Sequence, residues 1–416
     1  MSGAWTKVDA ATAPNPATGN KGQTYAVLAG FLGWTFDAFD FFILTFVLAP
    51  IAKEFGTTIP ALALTITASL ATRWIGAIVF GLFADRYGRR IPLIVNILYF
   101  SLIEVLSGLA PSYKIFFFLR LLYGIGMGGE WGVGASLAME SVPARWRGLV
   151  SGFLQEGYAL GFLLAAGVYR LVFPHWGWRP LFFIGGLPAL LTLFVRAKVK
   201  EPEAWHRSRT DWTTYKQAMF RNWNRFTYLV LLLAMVNFIS HGTQDMYPTY
   251  LQQQHGFTPQ RTSDFTAFSM VGAICGGLAF GFFSDRRGRR RAMVTAVLLG
   301  VVMIPLWVFA PNLPLILAGG FLMQFMVQGA WGVIPAHINE LSPDQLRGFF
   351  PGLAYQFGVL IASGSAYFEA RMAHLMSYAQ AMGIFAAVVL LLGAVVIYFG
   401  PEAHSAQFGR SNSAKP

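Results

Sequence analysis

The chain carries one cysteine in 416 residues, Cys275, and it lies inside an apolar run, which excludes a disulfide framework and any thiolate metal cluster. Charge is scarce too. Asp, Glu, Lys and Arg together make 12% of the residues, about half the share of an average soluble domain. No Ser/His/Asp constellation, phosphate-binding glycine loop or metal-ligand spacing occurs, so no enzyme, cofactor or metal is expected. The first 22 residues lack the apolar core of a cleavable signal, being polar and rich in Ala, Thr and Pro, and are expected to form a disordered tail.

What remains is apolar: 55% of the residues are hydrophobic, in runs of about twenty that match a hydrocarbon core of ~30 Å. The runs predict an all-α membrane protein of twelve spanning helices, at about 25–50, 61–84, 91–110, 115–139, 147–171, 178–196, 226–251, 262–284, 292–310, 313–338, 348–369 and 375–399. The longest polar interval, Arg196 to Arg225, divides them six and six. This predicts a tail at 1–22, bundles at 23–197 and 226–400, a linker at 198–225 and a second tail at 401–416. The net charge of +12 would suggest nucleic acid in a soluble protein, but here the cations gather in short loops. Tails and loops after even-numbered helices hold 23 Lys and Arg against six after odd-numbered ones, which puts linker and both termini in the cytoplasm and excludes a nucleic-acid partner.

An offset of 200 residues superposes the halves. Gly81 to Arg90 (GLFADRYGRR) matches Gly281 to Arg290 (GFFSDRRGRR) at seven of ten positions, and Trp131/Trp331, Glu140/Glu340, Pro143/Pro343 and Arg147/Arg347 keep the register. Two homologous bundles of one orientation should pack about an axis along the membrane normal and enclose a central cavity, an arrangement suited to alternating access.

The repeated G-x-x-x-D-R-x-G-R-R resembles the signature loop of the major facilitator superfamily, which implies transport by the major facilitator fold; the compact linker and tails lead to the expectation of a bacterial inner membrane. Arg120 with Gly124, Gly126, Gly128, Gly129, Glu130 and Trp131 resembles the fourth-helix motif of proton-coupled members. Asn237-Phe-Ile-Ser240-His241-Gly-Thr243-Gln244-Asp245-Met-Tyr-Pro248-Thr249 resembles the seventh-helix signature of the lactate-permease (Jen-type) branch of the sialate/lactate proton symporters. That resemblance implies that Asn237, His241 and Asp245 take part in carboxylate and proton recognition; the fourth-helix motif implies that Arg120 is a coupling residue; and Gln356 resembles the eleventh-helix glutamine of the lactate branch, which implies a hydrogen bond to substrate, the alternative being a simple interhelical bond.

Asp37, Asp40, Arg73, Glu104, Arg120, Glu130, Glu156, His241 and Asp245 all fall inside predicted helices, where left unpaired in lipid they would together cost on the order of 20 kcal/mol. They must face a cavity or one another. Asn237, His241 and Asp245 recur at i, i+4 and i+8, a stripe on one helical face with Gln244 beside it. Asp37 and Asp40 share a face of the first helix and need a cation or a proton between them, with Arg73 nearest in depth. The alternative is a permanent Asp/Arg pair that merely joins two helices. Substrate contact is therefore expected at Arg73, Asn237, His241, Gln244 and Gln356, and proton coupling at Asp37, Asp40, Arg120, Glu130, His241 and Asp245; Glu104 is given no role. Gating is expected at Asp85, Arg89, Glu140, Arg147, Asp285, Arg289, Glu340 and Arg347, with Glu140 beside Arg147 and Glu340 beside Arg347. The function expected is proton-coupled symport of a small monocarboxylate (lactate, pyruvate or acetate) by a monomer, its partners being the acid, a proton and lipid. A bulkier sialic or aromatic acid, and a receptor of this fold without turnover, are the alternatives.

Overall fold

A computed structural model describes residues 16–57, 59–201, 212–373, 375–406 and 408. The backbone of a chain this apolar must satisfy its own N–H and C=O groups, and helices do so. In the first half these are α1 (Pro16–Phe46), α2 (Leu48–Glu54), α3 (Ile59–Tyr87), α4 (Arg90–Gly108), α5 (Tyr113–Ser141), α6 (Arg147–Gln155), α7 (Gly157–Trp176), α8 (Arg179–Ile184) and α9 (Ala189–Lys198). After α10 (Trp212–Arg221) the second half runs α11 (Trp223–Gln244), α12 (Tyr247–His255), α13 (Pro259–Arg287), α14 (Arg289–Val308), α15 (Leu313–Leu341), α16 (Phe350–Ala362), α17 (Ser365–Ala373) and α18 (Tyr378–Phe399).

Every predicted span is helical. Among the described residues nine stretches are individually long and apolar enough to cross a membrane. The fourth predicted span, α5, is 29 residues long but diluted by Arg120, Glu130 and six glycines. The sixth and eleventh are interrupted, as α8/α9 and α16/α17. One expectation is corrected: α1 begins at Pro16, because the helix continues into the stretch read as a disordered tail. The rest of that tail lies outside the described residues, as do most of the second tail and the linker positions 202–211.

The 200-residue offset is structural. It maps α3 onto α13 and α5 onto α15 end for end, and the 3-10 turn Ala144–Trp146 onto Asp344–Leu346. Ser112 and Asn312, repeat mates, each accept a backbone N–H at a helix start. Gly88 and Gly288 close α3 and α13 at φ of +98° and +92°, a conformation that side chains resist, which explains the glycine in the repeated loop. The interruptions correspond in part: Val47 between α1 and α2 lies one residue past the equivalent of the Asp245–Met246 break between α11 and α12, whereas Glu156 between α6 and α7 lies seven residues before the equivalent of the Ser363–Gly364 break.

Candidate functional site

A cavity of about 360 Å³ lies between the halves, lined from the first by Trp34, Asp37, Arg73 and Tyr158 and from the second by Asn237, Ser240, His241, Gln244 and Asp245. This is the low end of ligand-cavity sizes. Its wall is aromatic. The Trp34 ring lies 5.7 Å from Tyr158, Trp131 lies 4.5 Å from Tyr355, and Trp331 meets Tyr355 edge-on at 5.9 Å. A second cavity of about 220 Å³ shares Phe42, Tyr158, Gln244 and Asp245 and continues past Tyr247 and Pro248.

Arg73 sits mid-way along α3 and is only 6% exposed. Its Nη2 is 4.0 Å from Asp37, a long ion pair, and its guanidinium lies 5.9 Å from the Tyr355 ring centroid. Its Nε and Nη2 have no hydrogen-bond partner among the described residues. Those two donors form one edge of the planar fork, the edge that takes a carboxylate in two parallel bonds. Gly128 of α5 permits this placement, since a Cβ there would collide with the Arg73 carbonyl.

Behind Asp37 lies a buried charge cluster. Arg120 donates to Glu104 and to Ser107, each at 2.6 Å, and its guanidinium lies 4.3 Å from the Tyr123 centroid. Glu104, to which the sequence assigned no role, is thus the partner of Arg120. Asp40 does not line the cavity; its carboxylate abuts Gly185 beside the Glu104 side chain. Glu130 projects from α5 against Gly33 of α1, with both oxygens unpartnered among the described residues. Arg73 and Arg120 thus stand among four buried acids, Asp37, Asp40, Glu104 and Glu130.

In α11 the stripe holds together. His241 Nδ1 lies 3.1 Å from Asp245 Oδ2, and the two side chains keep 37% and 38% of their surface exposed, so both are open to the cavity. Asn237 lines the cavity too, but its Nδ2 donates to the Leu233 carbonyl of its own helix at 2.7 Å, which leaves its oxygen for a ligand. Gln244 donates to Gln324 at 2.8 Å. Gln356 is buried away from the lining, where its Nε2 donates to the Gly128 carbonyl at 3.4 Å, so it supports α5 rather than meeting a ligand in this conformation. The sequence missed three participants: Gln324, the aromatic wall, and Glu369, which lies beneath α11.

At the face carrying the repeated loops the halves are latched. Asp85 accepts the Gly348 N–H at 2.7 Å, and Asp285 accepts those of Gly148 and Leu149 at 2.8 and 2.9 Å, so each carboxylate caps a helix start in the opposite half. Arg89 joins Asp85 at 2.7 Å to Glu140 at 2.9 Å, and Arg289 joins Asp285 at 2.8 Å to Glu340 at 2.9 Å. The expected pairing of Glu140 with Arg147 and Glu340 with Arg347 is corrected. The partners are exchanged across the halves, Arg147 with Glu340 at 3.7 Å and Arg347 with Glu140 at 3.5 Å, because the pseudo-twofold axis brings each arginine over the other half's acid. Phe408 lies between them, its ring centroid 3.4 and 3.7 Å from the two guanidinium carbons. Glu201, just beyond α9, accepts the Arg89 and Arg90 N–H groups; burial pushes its carboxyl above the ordinary range, against the pull of those donors.

Glycines allow this closure. A Cβ on Gly152 would collide with the Gly277 carbonyl, and one on Gly148 with that of Gly281, both in the opposite half. Gly152→Leu should therefore hold this face apart and lower substrate exchange at least tenfold while the protein remains monodisperse in detergent. Exchange at the parental rate would show that the contact is incidental.

Two bundles about a cavity that is sealed at one face and lined by charge define a secondary transporter. The chain belongs to the major facilitator superfamily: the Major Facilitator Superfamily profile matches residues 30–273, and the Sugar (and other) transporter profile matches residues 233–404. It is 31% identical to the probable 4-methylmuconolactone transporter of Cupriavidus pinatubonensis over 92% of each chain. It is 30% identical to the sialic acid transporter NanX of Escherichia coli, over 82% of this chain and 84% of that one. It is 29% identical to the carboxylic acid transporter protein homolog of Saccharomyces cerevisiae, over 83% of this chain but only 60% of the longer yeast protein. The proton:xylose symporter XylE superposes with a TM-score of 0.75 at 17% identity, covering 94% of this chain and 98% of that one. The kinship shown is with transporters of organic acids at large rather than with lactate permeases in particular.

Proposed function

We propose that the protein is a proton-coupled symporter of a small monocarboxylate, lactate, pyruvate or acetate, working by alternating access as a monomer in the inner membrane with both termini cytoplasmic. The unpartnered Nε/Nη2 edge of Arg73, a residue that lines the same cavity as His241 and Asp245, carries this reading. Arg73 meets the carboxylate; His241, ordered by Asp245, donates to the substrate's second polar group, with the Asn237 oxygen and Gln244 beside it. Substrate bound to Arg73 competes with Asp37 for the same cation, so a proton on Asp37 and a carboxylate on Arg73 belong to the same state. Asp40, Glu130 and the Glu104–Arg120 pair extend the set of groups that can share that proton. Gln356 acts through α5. The latched face, cation-rich in sequence, is the cytoplasmic one.

A monoanion moving with one proton carries no net charge. Uptake should ignore a membrane voltage worth ~2.3 kcal/mol per charge per 100 mV, and should follow a pH gradient worth ~1.4 kcal/mol per unit, about tenfold accumulation. Substrate-evoked current at a stoichiometry of one would contradict it. His241→Gln keeps a donor but removes titration, so gradient-driven uptake should fall at least tenfold while exchange of labelled for unlabelled acid partly survives; equal loss of both would make His241 a binding group only.

The aromatic wall favours a second reading, a planar unsaturated or aromatic acid whose face would stack on Trp34, Tyr158 or Tyr355. The names of the relatives above support organic acids of either size. Competition between labelled lactate and unlabelled pyruvate, benzoate or sialic acid separates the two. Block by pyruvate alone supports the small acid, and block by benzoate with weak lactate flux supports the planar one.

A further inference from the structure

Glu369 of α17 is absent from the set of acids that face the cavity. It is 1% exposed, and neither of its oxygens has a hydrogen-bond partner among the described residues. Among the described residues no Lys, Arg or His forms an ion pair with it, whereas Asp245 of the same half lies against His241. Its carboxylate packs behind α11 at Gly242, where an added Cβ would lie 3.7 Å from Glu369 Oε1 and would strike the Phe385 ring of α18. The charge that reaches it is that of Asp245, a like charge one helical turn beyond His241. Glycine at 242 therefore leaves room for the Phe385 ring and lets the Glu369 carboxylate pack close to the backbone of α11, behind the His241–Asp245 pair that is open to the cavity.

An ionised carboxylate so placed, without donors and beside a second acid, is the costliest charge arrangement in this half, and a bound proton removes the cost. We propose that Glu369 is a proton-carrying residue of the second half, loaded through the His241–Asp245 pair past Gly242. The inference rests on the proton-coupling reading above and extends it to a residue behind the cavity wall. In the step, an O–H bond of hydronium breaks on the face opposite the latch, and its proton, passed by way of the His241–Asp245 pair, forms an O–H bond on a Glu369 oxygen. That bond breaks after the halves have rocked, and the proton leaves through His241 or Asp245 to the latched face once it has opened. On release the proton forms an O–H bond on water, and no bond between heavy atoms changes. The break at Asp245–Met246, next to this site, lets His241 and Asp245 turn relative to Glu369 between the two states.

Glu369→Gln has nearly the same shape and keeps a neutral group, so the chain should fold. In proteoliposomes its gradient-driven uptake of labelled acid should fall at least tenfold and its proton-to-substrate ratio should drop, while counterflow stays within about threefold of the parent. Glu369→Asp should restore part of the coupling. Infrared difference spectra of the purified protein across a pH titration provide a readout independent of flux: the parent should show a protonated-carboxyl C=O band that Glu369→Gln lacks. Parental coupling in Glu369→Gln with the same carboxyl band would overturn the inference and leave proton symport standing. A parental protein that moves no protons with substrate would overturn both.

Discussion

Arg73→Lys should weaken substrate binding by about ten- to a hundredfold while leaving the fold intact. The substitution keeps the positive charge beside Asp37 but replaces a planar fork by a single ammonium, so one of two charge-assisted bonds to the carboxylate is lost, a difference of ~1.5–3 kcal/mol at ~1.4 kcal/mol per tenfold. The effect should fall on affinity, read as the concentration for half-maximal counterflow. Arg73→Gln, which removes charge as well, should abolish binding and release Asp37 from its cation. If Arg73 served only to join α1 to α3 at the 4.0 Å pair with Asp37, Lys would suffice and affinity would not move. The unpartnered Nε and Nη2 argue against that, since a permanent structural pair leaves no full edge of the fork idle.

The double substitution Asp85→Asn with Asp285→Asn should open the latched face. The two carboxylates accept three backbone N–H groups from the opposite half, and each also anchors an arginine that reaches the next acid. Asn keeps an acceptor oxygen but not the charge, so each site loses roughly 1–2 kcal/mol of the closed state. Together that shifts the equilibrium between faces by about thirty- to a thousandfold toward opening. Spin labels at Tyr87→Cys and Arg287→Cys, exposed repeat mates on this face, in a Cys275→Ser background, would report a longer mean distance. An unchanged distance would assign closure to the glycine contacts instead.

The architecture was legible because two signals in the sequence are collective: runs of apolar residues set by the thickness of a bilayer, and a register held over 200 residues. The helix breaks were not read from the sequence, whose apolar runs predict continuous spans at 147–171 and 226–251, although Pro248 and the polar pair Gln155–Glu156 interrupt those runs. Contacts across the axis were not. An internal repeat states which residues are equivalent, and equivalence does not say which residues touch; hence Glu140 meets Arg347 and not Arg147. Helical spacing brought His241 and Asp245 together because both lie on one helix, whereas the Arg120–Glu104 bond joins two helices whose relative rotation no local pattern encodes. Gln356 shows the same limit: its depth was readable and its direction was not, and it points to the Gly128 carbonyl. Glu369 was missed because it stood at the end of a predicted span, where an acid at a membrane surface needs no explanation; the break before α17 places it inside.

Uptake of labelled lactate into proteoliposomes, with an imposed pH gradient and the voltage clamped at zero, tests the central claim most directly. Proton symport of a monocarboxylate predicts accumulation that rises about tenfold per pH unit, one proton per lactate, blocked by pyruvate and lost in Arg73→Gln. Lactate flux that ignores the pH gradient, or no flux of any monocarboxylate in protein that is folded and exchanges some other solute, would contradict it.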